Sequence, residues 1–156
     1  MLKLTKKADY GLIALRHLAL KEHSASASAK EIAAHYGIPL PLLAKILQKL
    51  ARSGFLKSVH GTNGGYMLAR DAGRINTLEV IRTIDGPVIL ASCLAERGVC
   101  GHTQRCSVRE PLRRVHEGIL RLLETTTIAD LSRDEEPVTT IQPARLPRNF
   151  EVLPGI

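Results

Sequence analysis

Three cysteines, Cys93, Cys100 and Cys106, fall within fourteen consecutive positions and are the only cysteines in the 156-residue chain. A thiolate is both a nucleophile and a soft metal ligand, so the group has three uses open to it: ligation, redox exchange or inert burial. The odd count argues against a disulfide framework, as does the reducing cytosol expected below. Burial as apolar filler suits the neighbours poorly. Glu96, Arg97, Gly98, Gly101, His102, Thr103, Gln104 and Arg105 make the stretch polar and glycine-containing, a loop that bends around something. Structural zinc usually takes cysteine pairs about two to four residues apart, whereas here six and then five residues intervene. The wider spacing suits a larger inorganic body, and thiolates are the usual ligands of iron–sulfur clusters. Arg97, Arg105 and Arg109 would partly offset the negative charge of such a cluster. On spacing alone, zinc and redox-active thiols remain alternatives. No Cys-x-x-Cys, nucleotide-binding glycine loop or triad-like arrangement accompanies them, so an enzyme is not expected.

Elements upstream must position this loop. Thr5 caps a helix expected to reach about His23, with Ala8, Leu12, Leu15 and Ala19 at helical spacing. Ser28, with Glu31 in capping-box register, opens a second helix to Tyr36, and Gly37 ends it. A third begins near Pro39-Leu40-Pro41 and runs to about Ser53, turning Leu43, Ile46, Leu47 and Leu50 inward and Lys45, Lys49 and Arg52 outward. Two helices joined by a short Gly-containing turn, the second basic outside, form a helix-turn-helix signal, although a plain helical hairpin would read alike. The following stretch decides. Strands at 55–60 and 66–70 flank Gly61-Thr-Asn-Gly-Gly65, and a glycine-rich hairpin directly after a helix-turn-helix is a wing. Asn76 and Glu79 cap a fourth helix that Gly86-Pro87 terminates. Ser107 and Glu110 fit the cap of a long amphipathic helix, with Val108, Leu112, Val115, Ile119, Leu122 and Leu123 in one stripe.

The fold expected is mainly α: a winged helix-turn-helix DNA-binding domain with a two-stranded wing at 1–86, plus a long C-terminal dimerisation helix at 107–131. The cysteine cluster-binding loop occupies 87–106, and 132–156, rich in proline and without periodicity, reads as a disordered tail. Charge supports a polyanionic partner. Residues 1–74 hold twelve basic and four acidic side chains, residues 75–131 seven of each, and the tail three basic and four acidic. The excess positive charge thus sits in the half that would follow a phosphate backbone, and the expected partner is a double-stranded DNA operator. The aromatic residues are only Tyr10, Tyr36, Phe55, Tyr66 and Phe150, too few for stacking on single-stranded bases. No apolar stretch is long enough for a membrane span, and the N-terminus lacks an export-signal pattern, so the cytoplasm is the expected location. Leu40 and Pro41 would lie nearest the base edges, Lys45 and Lys49 would grip phosphate, and His60 and Asn63 would meet the minor groove or its backbone.

The opening Met-Leu-Lys-Leu-Thr-Lys with Asp9-Tyr10-Gly11, the wing Gly61–Arg70, the run Leu78–Gly86 and the three-cysteine loop before a long helix together resemble the Rrf-type winged-helix regulators. That group includes IscR, NsrR and RirA, and the opening pattern is most similar to regulators of the gammaproteobacterial SUF operon. The resemblance covers about residues 1–131. It implies a homodimer with crossed long helices, a pseudo-palindromic operator, and an iron–sulfur cluster, 2Fe-2S or 4Fe-4S, on Cys93, Cys100 and Cys106. It also implies a role in controlling cluster-assembly genes, with iron, redox state or nitric oxide as related signals.

Two positions depart from the pattern. Where IscR-like members place a histidine three residues after the last cysteine, this chain has Arg109, whose guanidinium stays protonated and cannot ligate. Asp9 resembles the carboxylate ligand donated from the other subunit in NsrR-like members, and His102 is the rival fourth ligand. Ala44 stands where IscR-like members carry a recognition-helix glutamate, which removes that route to promoter discrimination. Asp9→Ala is expected to bleach or weaken cluster absorbance while His102→Ala leaves it intact; loss confined to His102→Ala would reverse the assignment.

Overall fold

The computed structural model describes residues 4–21, 25–61, 64–95, 101 and 105–133. Asn63, Cys100, His102 and the tail beyond Arg133 therefore lie outside the described residues. Six helices and one two-stranded antiparallel sheet make a mainly α winged-helix fold.

Helix α1 (Lys6–Leu20) starts at Thr5, whose hydroxyl accepts from the Ala8 amide, and stops short of the expected His23. It is the central element, packing against α3, α4 and α6. Its inward face is Ala8, Gly11, Ala14, Leu15 and Leu18, so small residues matter as much as the leucines. At Gly11 a Cβ would stand 2.3 Å from Ile84 Cδ1 and 3.5 Å from Ile46 Cγ2; glycine is what lets three helices meet there.

Helix α2 (Ala29–Tyr36) is capped by Ser28, whose hydroxyl accepts from the Glu31 amide. The expected capping box does not close, because the Glu31 carboxylate turns instead to the Lys21 ammonium, a charge-assisted bond. Gly37 adopts the left-handed conformation at φ 64 and leads into α3 (Leu40–Arg52), with Pro41 in its first turn. Leu43, Ile46, Leu47 and Leu50 are buried, as the pattern requires.

Strands β1 (Leu56–Val59) and β2 (Gly65–Leu68) pair with Leu56 opposite Leu68 and Val59 opposite Gly65. Nothing in the residue pattern indicated that Ala27, in the serine-rich connection before α2, would bridge to Tyr66. Two hydrogen bonds, Ala27 N–H to Tyr66 O at 3.0 Å and Tyr66 N–H to Ala27 O at 2.8 Å, staple the wing to the helix-turn-helix.

Helix α4 (Thr77–Asp85) is capped by Asn76, and Gly86 at φ 88 ends it. Here too the reciprocal bond is absent, since Glu79 pairs with Arg70 at 3.2 Å. Helix α5 (Arg109–Thr125) begins after Val108 without a side-chain cap, so the expected Ser107–Glu110 cap is not formed. The Glu110 carboxylate is drawn to Arg113 and Arg114, each about one turn on.

The long amphipathic helix, expected to run to about Thr126, ends there, and the rest of the 107–131 segment forms a second, short helix. Helix α5 stops at Thr125, and Thr127 opens α6 (Ile128–Ser132) through a capping box with Asp130. A run of three threonines is the cause: β-branched side chains disfavour continuation, and Thr127 offers the backbone a competing cap. The break turns the chain back onto the domain. Ile128 is fully buried, its N–H donates to Ile75 O at 2.8 Å, Thr77 N–H donates to Thr126 O at 2.9 Å, and Arg16 Nε reaches Leu131 O at 2.7 Å.

The α5 stripe divides in two. Leu112, Ile119 and Leu123 are half-buried, whereas Val108, Val115 and Leu122 remain 56%, 53% and 66% exposed. No residue of α5 is fully buried within the monomer.

Gly65 tests the staple. A Cβ there would sit 2.3 Å from the Ala27 carbonyl oxygen, a backbone atom that cannot rotate away. Gly65→Ala is expected to cost about 1–3 kcal/mol, as overpacking does, and to lower Tm by several degrees in a calorimetric scan; an unchanged Tm would show that the bridge carries no strain.

Candidate nucleic-acid interface and cysteine site

The outer face of α3 is built by subtraction. Once Leu43, Ile46, Leu47 and Leu50 turn inward, Leu40, Pro41, Lys45, Gln48, Lys49 and Arg52 are left exposed. Pro41, Lys45 and Lys49 recur every four residues and so share one side of the helix. Lys45 has no ion pair or hydrogen bond among the described residues, leaving its ammonium available to an anion. Lys49 differs: its Nζ donates to the Ile84 carbonyl at 3.0 Å, at the negative end of α4. Sequence reasoning passed over Gln48, although a carboxamide between two lysines on a helix-turn-helix was the available signal. An exposed amide carries the donor–acceptor pair that reads an adenine edge. His60 is exposed where β1 ends, at the root of the wing.

Two of the three cysteines can be placed. Cys93 sits in a single 3-10 turn, Ser92–Leu94, and Cys106 lies three residues ahead of α5. Both are free thiols and half-buried. Arg105 and Arg109 are exposed and have no carboxylate partner among the described residues. Asp9 is exposed in the first turn of α1, its N–H donating to Thr5 O at 3.0 Å and its carboxylate without a partner among the described residues. Among the described residues, no group of three His, Cys, Asp or Glu side chains is close enough to hold a metal ion. The donor set nevertheless fits an anionic thiolate-held cluster. The thiols are soft ligands, unpaired arginines flank Cys106, and the uncapped start of α5 presents amide groups that favour negative charge.

A third group of polar side chains braces the helix-turn-helix. His17 Nδ1 lies 3.2 Å from the Tyr36 hydroxyl, next to the Gly37 turn that aims α3. Its Nε2 is buried without a hydrogen-bond partner among the described residues, and a Glu31 carboxylate oxygen is 4.0 Å away. The His35 ring centroid is 5.5 Å off. Burial above all, and then the Lys21 charge, outweigh the pull of Glu31, and with a smaller contribution from His35 they hold the His17 pKa below its ordinary value of 6.5.

Among the described residues, no helix is long and apolar enough to cross a membrane. Comparison with known proteins places the geometry. The family model Rrf2, described as an iron-dependent transcriptional regulator, matches residues 4–134. CymR, the global cysteine regulator of B. subtilis, is similar in structure at a TM-score of 0.72 and 29% identity, over 85% of this chain and 97% of that one. Staphylococcus aureus CymR matches at 0.68 and 25%, over 85% and 100%. T. potens IscR matches at 0.66 and 30%, over 90% and 93%.

A histidine kept neutral by burial makes stability pH-dependent with a definite sign. Above about pH 6.5 both folded and unfolded His17 are neutral, and nothing is lost. Below it the unfolded chain takes the proton first, so stability declines until the lower folded pKa is passed. Urea midpoints are expected to fall between pH 7 and 5 in the wild type, and to fall less steeply in His17→Gln; parallel slopes would remove His17 as the cause.

Proposed function

The chain belongs to the Rrf2 family of transcriptional regulators, and from that premise we propose that it is a homodimeric DNA-binding regulator whose grip on its operator follows an iron–sulfur cluster held by Cys93, Cys100 and Cys106. The observation that carries the reading is the state of the two described thiols. Cys93 and Cys106 are free and half-exposed, in a segment bordered by arginines that no carboxylate among the described residues neutralises. When bound, the cluster supplies iron chemistry sensitive to oxidants, nitric oxide and iron supply. The protein supplies the rest. Cys93, Cys100 and Cys106 hold the cluster, Asp9 of the second subunit completes the set with His102 as its rival, and Arg105 and Arg109 offset its charge.

On the DNA side, Leu40 and Pro41 approach the bases and Gln48 is added as a reader of base edges. Lys45 holds phosphate, His60 and Asn63 serve the wing, and Lys49 combines phosphate attraction with its bond to α4. The control of cluster-assembly genes is the regulatory role that best suits this equipment.

A second reading is a thiol-based regulator without a cluster, favoured by the higher TM-score to the cysteine regulator CymR than to IscR. Anaerobic purification separates the two. Cluster binding is expected to give a brown protein with visible charge-transfer bands, iron and acid-labile sulfide, all lost in Cys106→Ala; a colourless chain that resists reconstitution would leave the thiol reading standing.

The dimer rests on Val108, Val115 and Leu122. They recur every seven residues and stay more than half exposed in the monomer, the spacing found along the seam of a left-handed helix pair. Val115→Asp would bury an unpaired charge in that seam. Sedimentation at micromolar concentration is expected to show a dimer for the wild type and a monomer for the variant; a dimeric variant would move the interface elsewhere.

A further inference from the structure

Three separate parts of the chain are fastened to the last turn of α4. The Thr5 hydroxyl lies 2.7 Å from each carboxylate oxygen of Asp85, so the cap of α1 is held by the end of α4. The Lys49 ammonium donates to the Ile84 carbonyl at 3.0 Å, which holds the recognition helix to the same turn. Gly86 then redirects the chain at φ 88, its N–H closing on Arg82 O at 2.9 Å, and the irregular segment that follows leads to Cys93.

Packing makes these fastenings stiff on one side only. Beneath the turn, the Ile84 side chain occupies the space that Gly11 leaves and touches the point where Ile46 of α3 arrives. On the other side lies a cavity of about 280 Å³ bordered by Leu4, Asp85, Pro87, Ile89, Ile119 and Leu123. A displacement of residues 86–89 therefore has room to occur, while the helices they are tied to have none to absorb it separately. Closely packed elements pass such shifts on as rigid-body movement.

We infer that the last turn of α4 is the joint that conveys the state of the cysteine segment to the recognition helix, with Asp85 and Thr5 coupling it to α1 and the Ile84 carbonyl coupling it to Lys49. Asp85 and Thr5 are positioning residues, touching neither cluster nor DNA. This rests on the cluster reading, and its test distinguishes the two. Full-length protein, cluster-loaded and cluster-free, is titrated with a duplex selected from a random library by the wild type, and hydrogen exchange is followed in α3.

In Asp85→Ala the ratio of the two dissociation constants is expected to move at least threefold toward unity. The visible spectrum stays that of the wild type, and α3 ceases to respond to loading. Thr5→Ser keeps the hydroxyl and the wild-type ratio, whereas Thr5→Val loses it; this pair decides the matter should Asp85→Ala fail to fold. An unchanged ratio with α3 still responsive overturns the joint alone. A wild type that takes up no cluster, or binds the duplex equally in both forms, overturns the cluster reading and the joint with it.

Discussion

The close meeting of α1, α3 and α4 at Gly11 is the constraint on which the remaining architecture depends. Helix α1 has to touch α3, α4 and α6 at once, and a side chain at Gly11 would collide with Ile84. Removing the Cβ brings the backbone of α1 near enough for Ile84 and Ile46 to share one site. With that contact made, Leu43, Leu47 and Leu50 are fully buried, and α3 presents Leu40, Pro41 and its polar residues outward. The surface proposed to face DNA is thus the complement of the core: its residues are outside because the inner leucines are inside.

The wing is held by backbone rather than side-chain chemistry. Strand β2 gives one edge to β1 and the other, through Tyr66, to Ala27. Such a bond pair fixes distance and register without demanding particular side chains, which leaves the hairpin sequence free to be glycine-rich near the nucleic acid. Arg70, just past β2, lies over the Phe55 ring at 4.7 Å and pairs with Glu79, tying the base of the wing to α4.

Much of this was legible in the residues because helix ends obey local rules. Thr5, Ser28 and Asn76 cap as their types and spacing indicate, and Gly37 takes the left-handed turn that a helix stop calls for. Where legibility failed, another partner outbid the capping one. Glu31 prefers Lys21 and Glu79 prefers Arg70, so two expected capping pairs were left half-made, and Glu110 turns to Arg113 while the third does not form. The stop near Thr126 was legible, but the short helix α6 beyond it was not, because Ile128 is buried against partners distant in sequence. At the candidate site, types and spacing identified the thiols and the basic helix. They did not reveal that Lys49 is bonded to α4, since α3 and α4 are brought together only by the fold.

The turn at Thr126 also gives α5 an unequal pair of ends. Its C-terminal end is pinned, through Ile128 and α6, to the body of the domain, while its other end starts beside Cys106 without a cap. Seventeen residues of α-helix measure about 25 Å, so α5 is a lever with its fulcrum at the threonines. A tilt of about 5° there sweeps the far tip through about 2 Å. Modest rearrangement near one sulfur atom is in this way geared to the hinge angle of a long arm.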